Sequence, residues 1–342
     1  MAGQLSASKE RKYFANSEGS YIIQERTVTG LNCQAFSEGQ QGRASRYFPH
    51  GKAGHYSTGG LESIDSLDLY DLGQQAGAEA TELVTAPPAP TGDMDVILTG
   101  SQMAALLHET CGRFAELDWN LGLDGSDSIQ RVISPENIEQ FRFGSPLVTI
   151  TADASIHGGM GSFGYDDEGF PADQLTLVDN GIWSGFLANR EHKGILPRSN
   201  QSIHSSRADG FNRSPQIRMS NVSLSPGQGT MADLIRDTEH GIIIDSPIQF
   251  VMDPIRGWFR CVGEIGWEIE RGEKRQMVRS PAYEGQITYF WQSCDAICGE
   301  DDRSLFCYLD SSRGYPTQSV ASSHGASPCR FRGVRVDTAK PW

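Results

Sequence analysis

The chain has 342 residues, enough to bury a sizeable core, and its 29 Lys and Arg are outnumbered by 43 Asp and Glu, for a formal net charge of −14. Acidic charge without a clustered Lys/Arg run argues against a nucleic-acid surface, because phosphate neutralisation needs concentrated cations. Seven cysteines scattered along the chain do not read as a secreted disulfide framework and point to a reducing compartment. The opening residues lack the apolar run of a signal peptide and no stretch has the length of a membrane span, so a cytoplasmic protein without membrane contact is expected.

Lys12 to Phe36 alternates apolar and polar side chains, which predicts two or three antiparallel strands turning at Gly19 and Gly30. The glycine-rich segment 51–60 then leads into a helix whose Leu69, Leu72, Ala76, Ala80 and Leu83 form one apolar stripe, suited to covering that sheet. Pro87, Pro88 and Pro90 remove three backbone donors and favour extended chain, which marks a linker. The expected division is a partial α/β domain over 1–85, a linker over 86–93 and a β-rich domain over 94–342.

Met94 to Leu98 reads as a buried strand feeding a helix from Ser101 to Asp118. In that helix Met103, Leu106, Leu107 and Phe114 recur at helical spacing, Ser101 is a ready N-cap, and Gly112 interrupts. His108 and Glu109 stand side by side in its middle. A His followed at once by Glu opens the zinc-hydrolase signature, in which the imidazole holds the metal and the carboxylate takes a proton from metal-bound water. The usual second histidine is missing: Gly112 and then Arg113 occupy the next turn, and a guanidinium has no lone pair to donate. The structural reading of the same residues is a helix-surface ion pair, with Glu109 four residues ahead of Arg113.

From Pro146 onward the pattern is mostly period two. Asp179-Asn180-Gly181 supplies a tight hairpin, and an antiparallel sheet is predicted. The acids Asp166, Asp167 and Glu168 read as a solvated polar turn rather than a metal site. Met231 to His240 suggests a short helix with Leu234 and Ile235 inward, followed by strands at Ile242 to Ile244, Trp258 to Val262 and Gly266 to Glu270. Cys294 and Cys298, four apart, fit one helical face. Cys111 reads as a packed core residue, and His157, His192, His204 and His240 have no partner at ligand spacing.

Six segments, 106–118, 162–172, 216–227, 237–245, 277–299 and 323–336, taken in that order, resemble the TldD/PmbA metallopeptidases, and the resemblance covers nearly the whole chain. It implies an α+β fold: a small, shortened sheet-and-helix N-terminal domain followed by a larger curved antiparallel β-sheet domain carrying the His-Glu helix. It also implies zinc-dependent cleavage of largely unfolded peptides by a heterodimer or homodimer. Carried over by position, His108 matches the first zinc histidine, Glu109 the catalytic glutamate, Arg113 the second zinc histidine and Ser311 the third ligand, a cysteine. Relatives sometimes carry a cysteine near the segment that here holds His324 and Cys329, which offers a shifted ligand set. In the family a further stretch precedes the strand equivalent to 12–23; either the domain is reduced here or that part lies outside this sequence.

Three readings follow from the resemblance. The first is a metallopeptidase-like hydrolase of peptides or small amides, with His108 and Cys329 or His324 on zinc and Glu109 as general base, forming one subunit of a dimer with a TldD- or TldE-like chain or with itself. The second is a non-catalytic, zinc-ligand-deficient partner subunit. The third is a metal-free enzyme in which Glu109 and Arg113 act on a small substrate, Arg113 holding a carboxylate. With two of three ligands replaced, weak zinc binding or none is expected.

Overall fold

The computed structural model describes residues 1–40, 42–123, 133–198 and 201–339. It opens with a four-stranded antiparallel sheet: β1 (Ala2–Ala15), β2 (Tyr21–Gly39), β3 (Gly42–Phe48) and β4 (His55–Thr58), with β2 at its centre. Of the two glycines predicted to turn the chain, Gly19 does so with φ +92°, between Ala15 and its partner Tyr21. Gly30 does not. It lies inside β2, where an added Cβ would fall 2.1 Å from Cδ1 of Tyr56 on β4. The glycine serves close packing of a ring, and of the two or three strands expected the chain forms two long ones, β1 and β2. Gly30→Ala should therefore cost about 1–3 kcal/mol by overpacking, read as a lower urea midpoint at unchanged slope; an unshifted midpoint would show that Tyr56 moves aside freely.

Helix α1 (Glu62–Asp65) precedes α2 (Leu69–Leu83), whose N-cap Asp68 accepts from the amide of Asp71. Ala76 and Ala80 of α2 pack with Ala35 and Phe48, while Leu69 at the helix start stays exposed. The helix covers the sheet as its apolar stripe predicts. The proline-rich segment after it is not free: the Arg279 amide donates to Pro87 O at 2.9 Å, the Ala89 amide donates to Arg279 O at 3.3 Å, and Ala86 and Ala89 are buried.

Strand β5 (Gly92–Leu98) leads into α3 (Gly100–Leu107). A one-turn π-helix (His108–Gly112), α4 (Arg113–Ala115) and α5 (Leu117–Asn120) follow. The remaining strands are β6 (Ile150–Asp153), β7 (Gln174–Asp179), β8 (Ile182–Trp183), β9 (Phe186–Ala188), β10 (Ser202–His204), β11 (Ser206–Arg207), β12 (Gln216–Ile217), β13 (Asn221–Leu224), β14 (His240–Asp253), β15 (Trp258–Glu270), β16 (Glu273–Arg279), β17 (Pro281–Gln286), β18 (Cys294–Ile297), β19 (Ser304–Arg313), β20 (Gln318–Ala326) and β21 (Cys329–Thr338), with α6 (Met231–Arg236) and α7 (Ile287–Gln292) between them.

The order β14-β5-β21-β17-β15 returns from β15 to β14, so the main sheet closes on itself like a barrel. Closure removes the edges that an open sheet would expose. The sheet is not purely antiparallel, as the sequence reading has it: β5 runs parallel to β14. That strand arrives from the linker and leaves into α3, so it reaches its neighbour by a crossover and not by a hairpin. The two strands predicted over 258–270 are one, β15, and its turn into β16 places Arg271 and Gly272 at φ +54° and +75°. A second sheet, β13-β6-β7-β8, carries the predicted hairpin, with Asn180 and Gly181 at φ +46° and +82°. One continuous core joins Val96 and Leu98 of β5, Met103, Leu106 and Leu107 of α3, and Ile150, Val178 and Val222 of the second sheet. Leu234 of α6 packs on the other face of the barrel, against Ile97 and Ile243. Among the described residues no helix is long and apolar enough to cross a membrane.

Candidate functional site

All eight residues of α3 are buried, so the His-Glu segment runs through the core instead of along the surface. Thr99, not Ser101, takes the N-cap position. Both hydroxyls donate to Asp245, at 2.7 and 3.0 Å, so a carboxylate sits at the positive end of the helix. The predicted single helix over 101–118 is interrupted twice: by the π-turn at His108–Gly112, and at Glu116, whose ψ of 105° is extended. π-Turns inside helices are frequent at functional sites. Gly112 permits this one a close neighbour, since a Cβ there would lie 2.1 Å from Sδ of Met219.

His108 meets His324 of β20, Nδ1 to Nε2, at 2.9 Å. The proton positions follow from the far end of the pair. Val222 O, 2.8 Å from His324 Nδ1, can only accept, so Nδ1 carries the proton. His324 Nε2 is then a lone pair, and His108 Nδ1 donates to it. His108 Nε2 is left as a bare lone pair, buried and without a hydrogen-bond partner among the described residues. Burial, reinforced by His324, Arg113 and Arg218, holds the His108 pKa well below the usual histidine range, and burial takes His324 to about 4. Both rings are neutral at pH 7. Tyr308 of β19 stacks on His108 with centroids 3.8 Å apart.

Glu109 has both oxygens engaged: Oε2 accepts from Arg113 Nε at 2.6 Å and Oε1 from the Tyr308 hydroxyl at 3.1 Å. The side chains of Arg113 and Glu109 are only 17% and 14% exposed, so this is not the solvated surface pair that four-residue spacing suggests. Burial works to lower the Arg113 pKa, but Glu109 outweighs it and the net shift is upward. Burial and then Glu109 raise the Tyr308 phenol. Beside the network a cavity of about 730 Å³ opens against Ala104 and Ala105 of α3, with Tyr308 and Phe250 in its wall.

The other sequence-selected residues lie elsewhere or do other work. Ser311 is buried, and its carbonyl and hydroxyl both accept from Arg218 Nη2. Cys329 is buried on β21, its thiol pushed well up by burial and by Cys294 beside it, and its Sγ is 3.3 Å from Ser327 O. Cys294 sits on β18, a strand, so the helical face predicted for Cys294 and Cys298 does not form; all seven cysteines are unpaired. Cys111 is a buried core residue. His192 Nδ1 lies 2.8 Å from Asn189 Oδ1.

Asp166, Glu168 and His204 come within 4.8 Å of one another, the one group of three metal-capable side chains among the described residues. The turn carrying them is not simply solvated. Asp166 is 2% exposed and accepts the amides of Glu168, Phe170 and Ser206, which fix its fold. Phe170 stacks on His204 with centroids 3.5 Å apart. Tyr308 escaped the sequence reading, and His324, expected beside His108 as a shared zinc ligand, is instead hydrogen-bonded to it directly. The period-two spacing of Phe306 and Tyr308 on β19 is the signal that could have placed the tyrosine on an inward face.

Residues 91–337 match the PmbA/TldA metallopeptidase C-terminal domain, and residues 2–84 match the central domain of the same proteins. The chain belongs to the PmbA/TldD family. It is 30% identical over 308 residues to Metalloprotease MJ0996 of Methanocaldococcus jannaschii, covering 86% of this chain and 64% of that one. It is 23% identical over 275 residues to the Zinc metalloprotease TldD homolog of Saccharolobus solfataricus, covering 79% and 58%. The fold is that of TldE from Thermococcus kodakarensis, with a TM-score of 0.75 at 15% identity over 98% of this chain and 68% of that one. The chain thus spans just under two thirds of the length of the first of these relatives.

Zinc centres in proteins use three or four N, S or O donors. In this PmbA/TldD chain the bare His108 Nε2 is one such donor. Arg113 contributes none, Ser311 is bound to Arg218, and no described pair of further donors joins His108. The residues at this place do not fit a three-donor zinc ion.

Proposed function

We propose that this chain is a zinc-ligand-deficient, non-catalytic subunit of a cytoplasmic PmbA/TldD-type complex that hydrolyses peptides or small amides, and that it pairs with a complete TldD-like chain. The reading rests on one observation: Glu109 is clamped between Arg113 and Tyr308. A general base takes its proton from water within hydrogen-bond reach, and here one lone pair of each oxygen is held, by the Arg113 cation and by the Tyr308 phenol, so the carboxylate is fixed in an ion pair. A second copy of the same chain would add no missing donor, which favours a complete chain as partner.

Zinc content tests the first half. After dialysis the purified protein should hold far less than one zinc per chain; stoichiometric zinc sinks the reading. Arg113→His, which restores the family's ligand type, should raise zinc content only if a third donor is in reach. Turnover and assembly test the second half. With a complete TldD-like partner the chain should cosediment as one complex, and Glu109→Gln should leave the complex's peptide cleavage unchanged. If Glu109 were the working base, the same change would lower the rate by about 10²- to 10⁴-fold.

A further inference from the structure

A second and larger cavity, about 1240 Å³, opens where β1 and β2 face the 162–172 turn and β11. Arg26 of β2 and Arg207 of β11 both line it. Arg26 Nη2 donates to Met160 O at 2.5 Å, while its Nε is buried without a partner. Arg207 Nη1 donates to Met219 O at 2.7 Å. Among the described residues no carboxylate lies within the 4.0 Å of a salt bridge to either guanidinium.

The acids of the cavity wall are committed elsewhere. Asp167 pairs with Lys12, Glu25 with Arg11 and Asp209 with Arg213, and Asp166 accepts three backbone amides. Glu10 stands opposite Arg26 in the β1–β2 register and acts on it only through space. Burial pulls the Arg207 pKa down and the neighbouring cations Arg26 and Arg218 pull it further, while Asp167 and Glu116 support the charge through space. A guanidinium does not lose its proton at ordinary pH, so the pair brings two part-buried positive charges to one cavity with acids near them but no described carboxylate in direct contact. Each presents a planar fork of donors that matches a carboxylate.

The cavity is far larger than a lone ion, and Phe14, Phe163, Tyr165 and Phe211 stand around it. An organic body is therefore expected behind the anion. The anchors of the two arginines also touch the His108 region. The Met160 amide donates to Oγ of Ser323, the residue before His324, at 2.9 Å, and Met219 is the neighbour that Gly112 admits.

We propose that this cavity binds a carboxylate-bearing organic ligand, with Arg26 and Arg207 holding its oxygens. The source of the carboxylate is either the end of a peptide or a small acid, and the probes separate these. Binding is independent of turnover, so the proposal stands or falls apart from the subunit reading above.

The test is calorimetry on the whole chain with N-acetyl-Ala-Phe as the free acid, the same dipeptide as its C-terminal amide, and acetate alone. The acid should bind saturably and the amide about tenfold or more weaker, because it cannot fill a charged fork. Acetate binding as tightly as the dipeptide acid would assign the site to small acids. Arg26→Gln and Arg207→Gln should each weaken the acid about tenfold or more while leaving the weak binding of the amide unchanged. Acid and amide bound alike overturns the proposal without any variant having to fold. So does the absence of saturable binding by the dipeptide acid and by acetate, or acid binding that survives both substitutions.

Discussion

Replacing Glu116 with Gln should lower stability by about 3–5 kcal/mol, the cost of leaving a buried cation without its partner. Glu116 is 1% exposed. It accepts from the Met219 amide and from Arg313 Nη1, both at 2.9 Å, and lies 3.5 Å from Arg218 Nε. Asp118 stays with Arg313 after the change, so the loss falls on Arg218. Burial already lowers the pKa of Arg218 and Glu116 is the first group that supports it. Native stability is only about 5–15 kcal/mol, so this one carboxylate carries a large fraction of it. Urea unfolding at constant slope measures the effect. Glu116→Gln with Arg218→Met should regain part of the loss, because both charges then leave the core together. A single-variant loss below about 1 kcal/mol would show that the arginine finds water.

Between pH 7 and pH 4 the protein should lose about 3 kcal/mol or more of stability through its buried histidines. His324 moves from 6.5 to about 4 on folding because burial disfavours its cation, and His108 is shifted in the same direction. The unfolded chain therefore binds more protons in this window, and stability falls as pH falls. The contribution is complete above about pH 6.5 and is lost as the pH drops toward 4. For His324 alone, about 2 kcal/mol should be gone by pH 5. His50, also taken to about 4 by burial and by His55, adds with the same sign. Thermal unfolding from pH 7 to 5 measures the slope, and His324→Gln should flatten it, since an amide does not titrate. A slope unchanged by that substitution would assign the acid sensitivity to other groups.

The helix stripe of α2, the hairpin at Asn180-Gly181 and the buried strand β5 were legible because each is a local pattern whose period or turn residue has one physical solution. The family was legible for the same reason, through six ordered segments. Gly30 misled because a glycine reads alike whether it turns the chain or makes room for a ring. The parallel run of β5 beside β14 was hidden because pairing partners 146 residues apart leave no mark in either strand's own pattern.

The site divides along the same line. The sequence, through its resemblance to the family, sets Arg113 and Ser311 against the expected zinc donors, and residue type alone says that a guanidinium has no lone pair to offer. Only the tertiary structure decided what fills the gap. His324 reaches His108 across 216 positions, Tyr308 reaches Glu109 across 199, and the four-residue pair of Glu109 and Arg113 is buried. Sequence spacing fixes what a helix can bring together within a turn. Burial, protonation state and the freedom of a carboxylate depend on which distant strands close over that turn, and those follow from packing the whole barrel.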